Sequence, residues 1–154
     1  MNWLSLCADI LTVISAIVTV VSVFTIKSYY NKIVRQYSVE KLTLAEQYIH
    51  NSIEIMQKIK RIYSSDTRGL SVKKIGGLYL DIEENINHIV FDLPLSFDGI
   101  MKCSTEAKKK IKLSTKTDTI LSKNCHFEEL DDLLNAISLN IKKEKENIQK
   151  ANMK

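Results

Sequence analysis

Proline occurs once in the 154-residue chain and glycine four times. So few turn formers exclude a fold of many short strands, which needs a break about every 8–12 residues. They also exclude the glycine-rich loops that cradle phosphates, and neither a Gly-x-x-x-x-Gly-Lys nor a Gly-x-Gly-x-x-Gly segment is present. The zinc-protease pattern His-Glu-x-x-His and the nucleophile elbow Gly-x-Ser-x-Gly are equally missing. Cys7, Cys103 and Cys125 are odd in number and form no Cys-x-x-Cys pair. A disulfide framework is therefore not expected, and a reducing compartment fits. Cys125 and His126 are neighbours that point apart on a helix, so they do not make a metal site with Cys103. His50, His88 and His126 are scattered. We expect no enzymatic activity, no cofactor and no metal. Aromatic residues make up 7% of the chain and do not alternate with its lysines. That spacing leaves no stacking platforms, and DNA is not an expected partner.

What the chain does have is one long apolar run. Ile10 to Ile26 holds 17 residues without a charge, and the flank back to Trp3 extends the run to 24. At about 1.5 Å per residue, roughly 20 residues cross a hydrocarbon core of about 30 Å. The run predicts a transmembrane helix over residues 1–27. A cleavable signal peptide is the competing reading; it lacks a basic start and a small-x-small site, and the run is long for it. Lys27, Lys32 and Arg35 follow the run, and no basic side chain precedes it. The positive-inside rule then puts the N-terminus outside and the rest in the cytoplasm, in a single-pass arrangement in the inner (cytoplasmic) membrane. Tyr29 and Tyr30 suit the interface beside those anchors.

Ser5, Asp9, Thr12, Ser15, Thr19 and Ser22 recur along the apolar run at steps of three and four. They share one stripe. In lipid, small and hydroxyl-bearing faces are where helices meet, and a carboxylate within a span turns toward a bundle interior or water. The stripe is thus a candidate oligomer face. The alternative is that the hydroxyls bond their own preceding carbonyls.

The rest of the chain reads as all-α. Residues 28–41 form a stalk, and residues 42–154 form a helical bundle of about four helices. Leu42, Ala45, Ile49, Ile53, Met56, Ile59 and Tyr63 give the first apolar face. Ser65 to Gly69 supplies a turn. Val72, Ile75, Tyr79, Ile82, Ile86, Ile89 and Leu93 form the second face, with Ser71 as cap and Pro94 as stop. Gly76 and Gly77 weaken that helix by about 1 kcal/mol each relative to Ala, a cost that points to a close approach by another helix or a ligand. Ile100 to Leu113 predicts a basic third helix with Ile100, Ala107 and Ile111 on one side. Ser114 to Ser122 reads as irregular, and a last helix starts at the cap Asn124. Phe127, Leu130, Leu134, Ile137, Ile141 and Ile148 are its buried face.

Charge is segregated. Lys102 to Lys123 holds seven lysines against Glu106 and Asp118, a local net of +5, and Lys58 to Lys74 holds six basic residues against Asp66, again +5, in a chain of only +4. Antiparallel helices would bring both zones to one pole. Such a surface, with Ser114 and Thr117 nearby, suits phosphates: the lysines supply the field and the hydroxyls the direction. A solvated lysine-rich face with no ligand is the alternative.

This layout resembles the membrane effectors of type III CRISPR systems, in particular the small kind with one N-terminal transmembrane helix and a cytoplasmic sensor for cyclic tetra-adenylate. The resemblance rests on the run Trp3 to Ile26, the stalk, the helical domain and the basic segment Lys108-Lys109-Lys110. It implies an antiviral-defence role and a homo-oligomer, a tetramer, that binds the cyclic nucleotide and disturbs the membrane lipid around its transmembrane bundle. Lys109, Lys110, Lys112, Lys116, Thr117 and Ser114, with Arg61 or Arg68, are then the expected phosphate contacts. A membrane-anchored interaction protein without a small ligand and a holin-like phage protein remain alternatives.

Overall fold

A computed structural model describes residues 3–64, 72–94, 96–116 and 120–152, with side chains throughout these except 4–10, 64, 72–73, 116, 120–126 and 152. Four helices follow in order: α1 (Trp3–Ser64), α2 (Val72–Asp92), α3 (Asp98–Lys116) and α4 (Ile120–Asn152). No strand occurs among the described residues. The chain divides into two compact units, Met1–Tyr37 and Ser38–Lys154. The expected turn at Ser65 to Gly69 and the Ser71 cap lie outside the described residues.

The first unit is helical, and every side chain described in it is exposed, from Trp3 through Val18 and Phe24 to Tyr37. It supplies the one helix among the described residues that is long and apolar enough to cross a membrane. Its hydroxyls turn inward on the helix backbone. Ser15 Oγ donates to the Thr12 carbonyl at 3.2 Å, Thr19 Oγ1 to the Ser15 carbonyl at 2.8 Å and Thr25 Oγ1 to the Val21 carbonyl at 2.8 Å. Of the stripe, Thr12, Ser15, Thr19 and Ser22 are exposed. The side chains of Ser5 and Asp9 lie outside the described ones.

The second unit is a four-helix bundle whose order follows from its side-chain pairs. Lys41 Nζ lies 3.3 Å from the Asp92 carboxylate, and the Tyr48 and His88 rings stack at 4.9 Å, so α2 runs antiparallel beside α1. Lys145 reaches Glu46 at 2.6 Å, and Tyr63 meets Phe127 edge-on at 6.3 Å, which sets α4 antiparallel on the other side of α1. Lys110 pairs with Glu129, and Asn140 packs beside Cys103, so α3 lies along α4. Glu84 and Lys108 line one groove between α2 and α3. α1 and α3 are therefore diagonal and run in the same sense.

The core follows the faces that the spacing predicts, except that Tyr63, Phe127 and Ile148 are only half-buried and the Val72 side chain lies outside the described ones. Leu42, Ala45, Ile49, Met56 and Ile59 of α1 are buried, as are Ile75, Tyr79, Ile82, Ile86, Ile89 and Leu93 along and just past α2. Ile100, Ala107 and Ile111 add α3, and Leu130, Leu134, Ile137 and Ile141 add α4. Ten of these eighteen residues are isoleucine. Isoleucine is a modest helix former with a nearly fixed χ1 in a helix. Here the helices gain from packing rather than from propensity, and the core loses little rotamer freedom on folding.

Three expectations need correcting. Ser52, and not Ile53, completes the α1 seam; it is fully buried, while Ile53 stands half-buried beside it. Its hydroxyl donates to the Tyr48 carbonyl at 3.0 Å, so a polar residue fits there without an unpaired group. The segment Ser114 to Ser122 is helical at both ends, because α3 continues to Lys116 and α4 begins at Ile120. Thr115 Oγ1 donates back to the Lys112 carbonyl at 3.1 Å, so this side chain bonds within the helix instead of competing with it. Asn124 consequently stands inside α4 and does not begin it. Gly76 and Gly77 likewise differ from expectation. A Cβ at either position would meet nothing within 4 Å, so among the described residues no neighbouring helix approaches them.

Before α3, Phe97 N–H donates to the Pro94 carbonyl at 3.2 Å, and Met101 N–H to the Phe97 carbonyl at 3.0 Å. Asp98 then occupies the first turn of α3, where a carboxylate favours the helix dipole.

Candidate anion-binding face

α3 separates its residues into two stripes. Ile100, Ser104, Ala107, Ile111 and Ser114 turn into the bundle. Lys102, Thr105, Lys109 and Lys112 follow the opposite side at steps of three and four, and all are exposed. Lys109 and Lys112 form no ion pair among the described residues, and Lys102 meets only Asp98 on its own helix, at 3.8 Å. Three ammonium groups thus line one helix face, where their fields add.

The expected phosphate contacts are distributed unevenly around this face. Lys109 and Lys112 belong to it. Lys110 sits on the α4 side of the helix, half-buried, with its ammonium engaged by the Glu129 carboxylate. Ser114 is only 1% exposed and belongs to the buried stripe, so it cannot reach a ligand on the outer face. Arg61 is exposed at the end of α1. α1 and α3 end at the same pole but on diagonal helices, so one chain does not place Arg61 and Lys109 on a common face. Arg68, Thr117 and the Lys116 side chain lie outside the described residues.

Beneath the face, three hydroxyls from three helices gather at the same pole. Tyr79 approaches both Tyr63 and Ser114, yet none of the three completes a well-directed hydrogen bond among the described residues. Loss of water raises the Tyr63 pKa, opposed in part by the Tyr79 hydroxyl. Burial, followed by the neighbouring Tyr63, pushes Tyr79 far above the ordinary phenol value, and Ser114 offsets little of it. Both phenols stay neutral at physiological pH, so this cluster carries no charge toward the lysines.

Open grooves flank the bundle, two of them lined by described residues. One, of about 660 Å³, runs along α2 past His88, Phe91 and Leu93 to Lys108. The other, of about 420 Å³, lies between α1 and α4 and is lined by Gln47, His50, Ser138 and Lys142. Among the described residues no three His, Cys, Asp or Glu side chains gather as metal ligands would. Cys103 is half-buried beside Asn140, while the side chains of Cys125 and His126 lie outside the described ones.

Phe91 is 90% exposed and Leu80 58%, both on the outer side of α2. The signal was legible, because Phe91 falls midway between the buried Ile89 and Leu93 and so must point away from the core. No family model, curated protein or solved structure matches this chain.

Proposed function

We propose that the chain is a single-pass membrane protein whose helical bundle takes up a multiply phosphorylated ligand on the lysine face of α3. The ligand class is a cyclic oligonucleotide, with cyclic tetra-adenylate as the first to try. The observation that carries the reading is the exposed row of Lys102, Lys109 and Lys112, of which the last two have no carboxylate partner among the described residues. Residues three and four apart on a helix stand roughly 5–6 Å from each other, close enough to serve neighbouring oxygens of a phosphodiester backbone. A ring of phosphates presents equivalent charges to several chains at once, so chains assembled around it would each contribute the same lysines. The ligand then favours whichever arrangement of chains it binds better, and the membrane segment Leu11 to Ile26 feels that shift. In this reading the bundle faces the cytoplasm, where such messengers occur, and the output is loss of membrane integrity in antiviral defence.

Calorimetry of the full-length protein in detergent micelles tests the proposal. Cyclic tetra-adenylate should give saturable heat that Lys109→Glu with Lys112→Glu abolishes, whereas inorganic phosphate gives none. Absence of heat with rings of three, four and six adenylates would overturn it. A second reading, a membrane-anchored interaction protein, is favoured by Phe91, a fully presented aromatic ring on a folded helix.

A further inference from the structure

The outer side of α2 carries Leu80, Glu84 and Phe91 on one stripe, spaced four and seven residues apart. Leu80 is 58% and Phe91 90% exposed, so no described residue covers either. The outer side of α3 carries Lys102, Lys109 and Lys112, with Leu113 beside them at 46% exposure. The two helices are antiparallel, and Tyr79 beside Ser114 sets their relative level. Counting along each helix from that level puts Leu80 level with Leu113, Glu84 with Lys109 and Phe91 with Lys102. An apolar, acidic, aromatic series thus stands level with an apolar, basic, basic one.

We propose that the α2 face of one copy docks on the α3 face of a second copy standing beside it in the same sense. Leu80 packs on Leu113, Glu84 pairs with Lys109, and the Phe91 ring receives the Lys102 ammonium and its aliphatic stem. The occupant is a second copy because both halves of the match belong to this chain. An α2 face against another α2 face would set Glu84 on Glu84, which like charge disfavours. The two faces lie on neighbouring corners of the bundle, so the contact is head-to-tail and each copy offers both halves. The proposal rests on the membrane reading only for the common sense of the copies, which a shared membrane imposes. Because ligand phosphates and Glu84 compete for Lys109, ligand uptake loosens this contact.

The test is the mass of full-length protein in detergent micelles, followed by sedimentation across a dilution series. Wild type should assemble beyond one chain. Glu84→Lys alone and Lys109→Glu alone should each raise the half-assembly concentration by roughly tenfold or more, and the double reversal should restore it, since coupled charges are recovered by exchange. Phe91→Ser should weaken assembly without rescue by either charge change. Circular dichroism should show unchanged helicity in every variant, because all these side chains are exposed. A monomeric wild type, single reversals without effect, or a double reversal that stays dissociated would each overturn the proposal. If Phe91→Ser fails to fold, the charge exchange decides alone. Loss of the calorimetric response to cyclic tetra-adenylate with assembly intact would strike the ligand reading and leave this contact standing.

Discussion

The Tyr79 hydroxyl lies against Ser114 Oγ inside the bundle, and neither finds a well-directed partner among the described residues. A buried hydroxyl left unsatisfied costs about 1–3 kcal/mol. Ser114→Ala removes that group with almost no change in volume. We expect the variant to be more stable by about 1 kcal/mol, a rise of a few degrees in Tm for a chain of this size. Thermal melting by circular dichroism checks this; a lower Tm would mean the hydroxyl is bonded after all.

The same pole predicts the alkaline limit of the fold. Tyr79 has its pKa raised chiefly by burial and then by Tyr63. Its neutral form is favoured in the folded state, so its contribution is fully present below the unfolded phenol pKa of about 10. Above that pH the unfolded chain loses the proton first, and stability falls as pH rises. Tyr79→Phe should flatten the fall. Denaturant titrations at pH 8, 10 and 11 on both proteins would show it, and parallel losses would assign the alkaline limit to other groups.

Much of this bundle is visible in the spacing of apolar residues. Steps of three and four marked the buried faces of all four helices, because burial of one stripe per helix leaves a period that no other constraint erases. The same count, carried one step past Ile111, reaches Ser114 and would have placed it inside. Its hydroxyl chemistry suggests a phosphate contact, but its position in the stripe decides otherwise. Ser52 is similar: a hydroxyl bonded to its own backbone behaves as a small core residue, and residue type conceals that. The pairing of Lys110 with Glu129 could not be read at all, since it depends on which helices are neighbours. Gly76 and Gly77 misled in the other direction, for a cost in helix propensity does not require a compensating contact.

Those glycines are a simple lever on stability. A Cβ at Gly76 or Gly77 meets nothing within 4 Å, so alanine fits at both. Each Gly→Ala change should stabilise the bundle by about 0.8–1 kcal/mol through backbone entropy alone. Chemical denaturation of the single and double variants tests additivity. Destabilisation by either would reveal a close contact absent from the single chain.

Ile86 anchors the opposite side of the same helix. It is fully buried among isoleucines from α2 and its neighbours. Ile86→Val should cost about 0.5–1.5 kcal/mol and Ile86→Ala about 2–5 kcal/mol, the spread reflecting how far the core relaxes. Equilibrium denaturation gives both values. A ratio near one would show a core loose enough to close the larger hole.

In the apolar segment, Thr19 Oγ1 donates to the Ser15 carbonyl at 2.8 Å, and Ser15 Oγ to the Thr12 carbonyl at 3.2 Å. A hydroxyl whose proton is already given to its own helix has only a lone pair left for a neighbour. Its value at a helix contact is then its small size and not its polarity. Thr19→Val keeps the shape and deletes the hydroxyl, so the assembly mass in detergent should not change. Thr19→Leu adds bulk, and its mass should fall if the stripe is a contact face. Should Thr19→Val dissociate the assembly as well, the hydroxyl bridges chains, and the bond seen within one helix gives way when two helices meet.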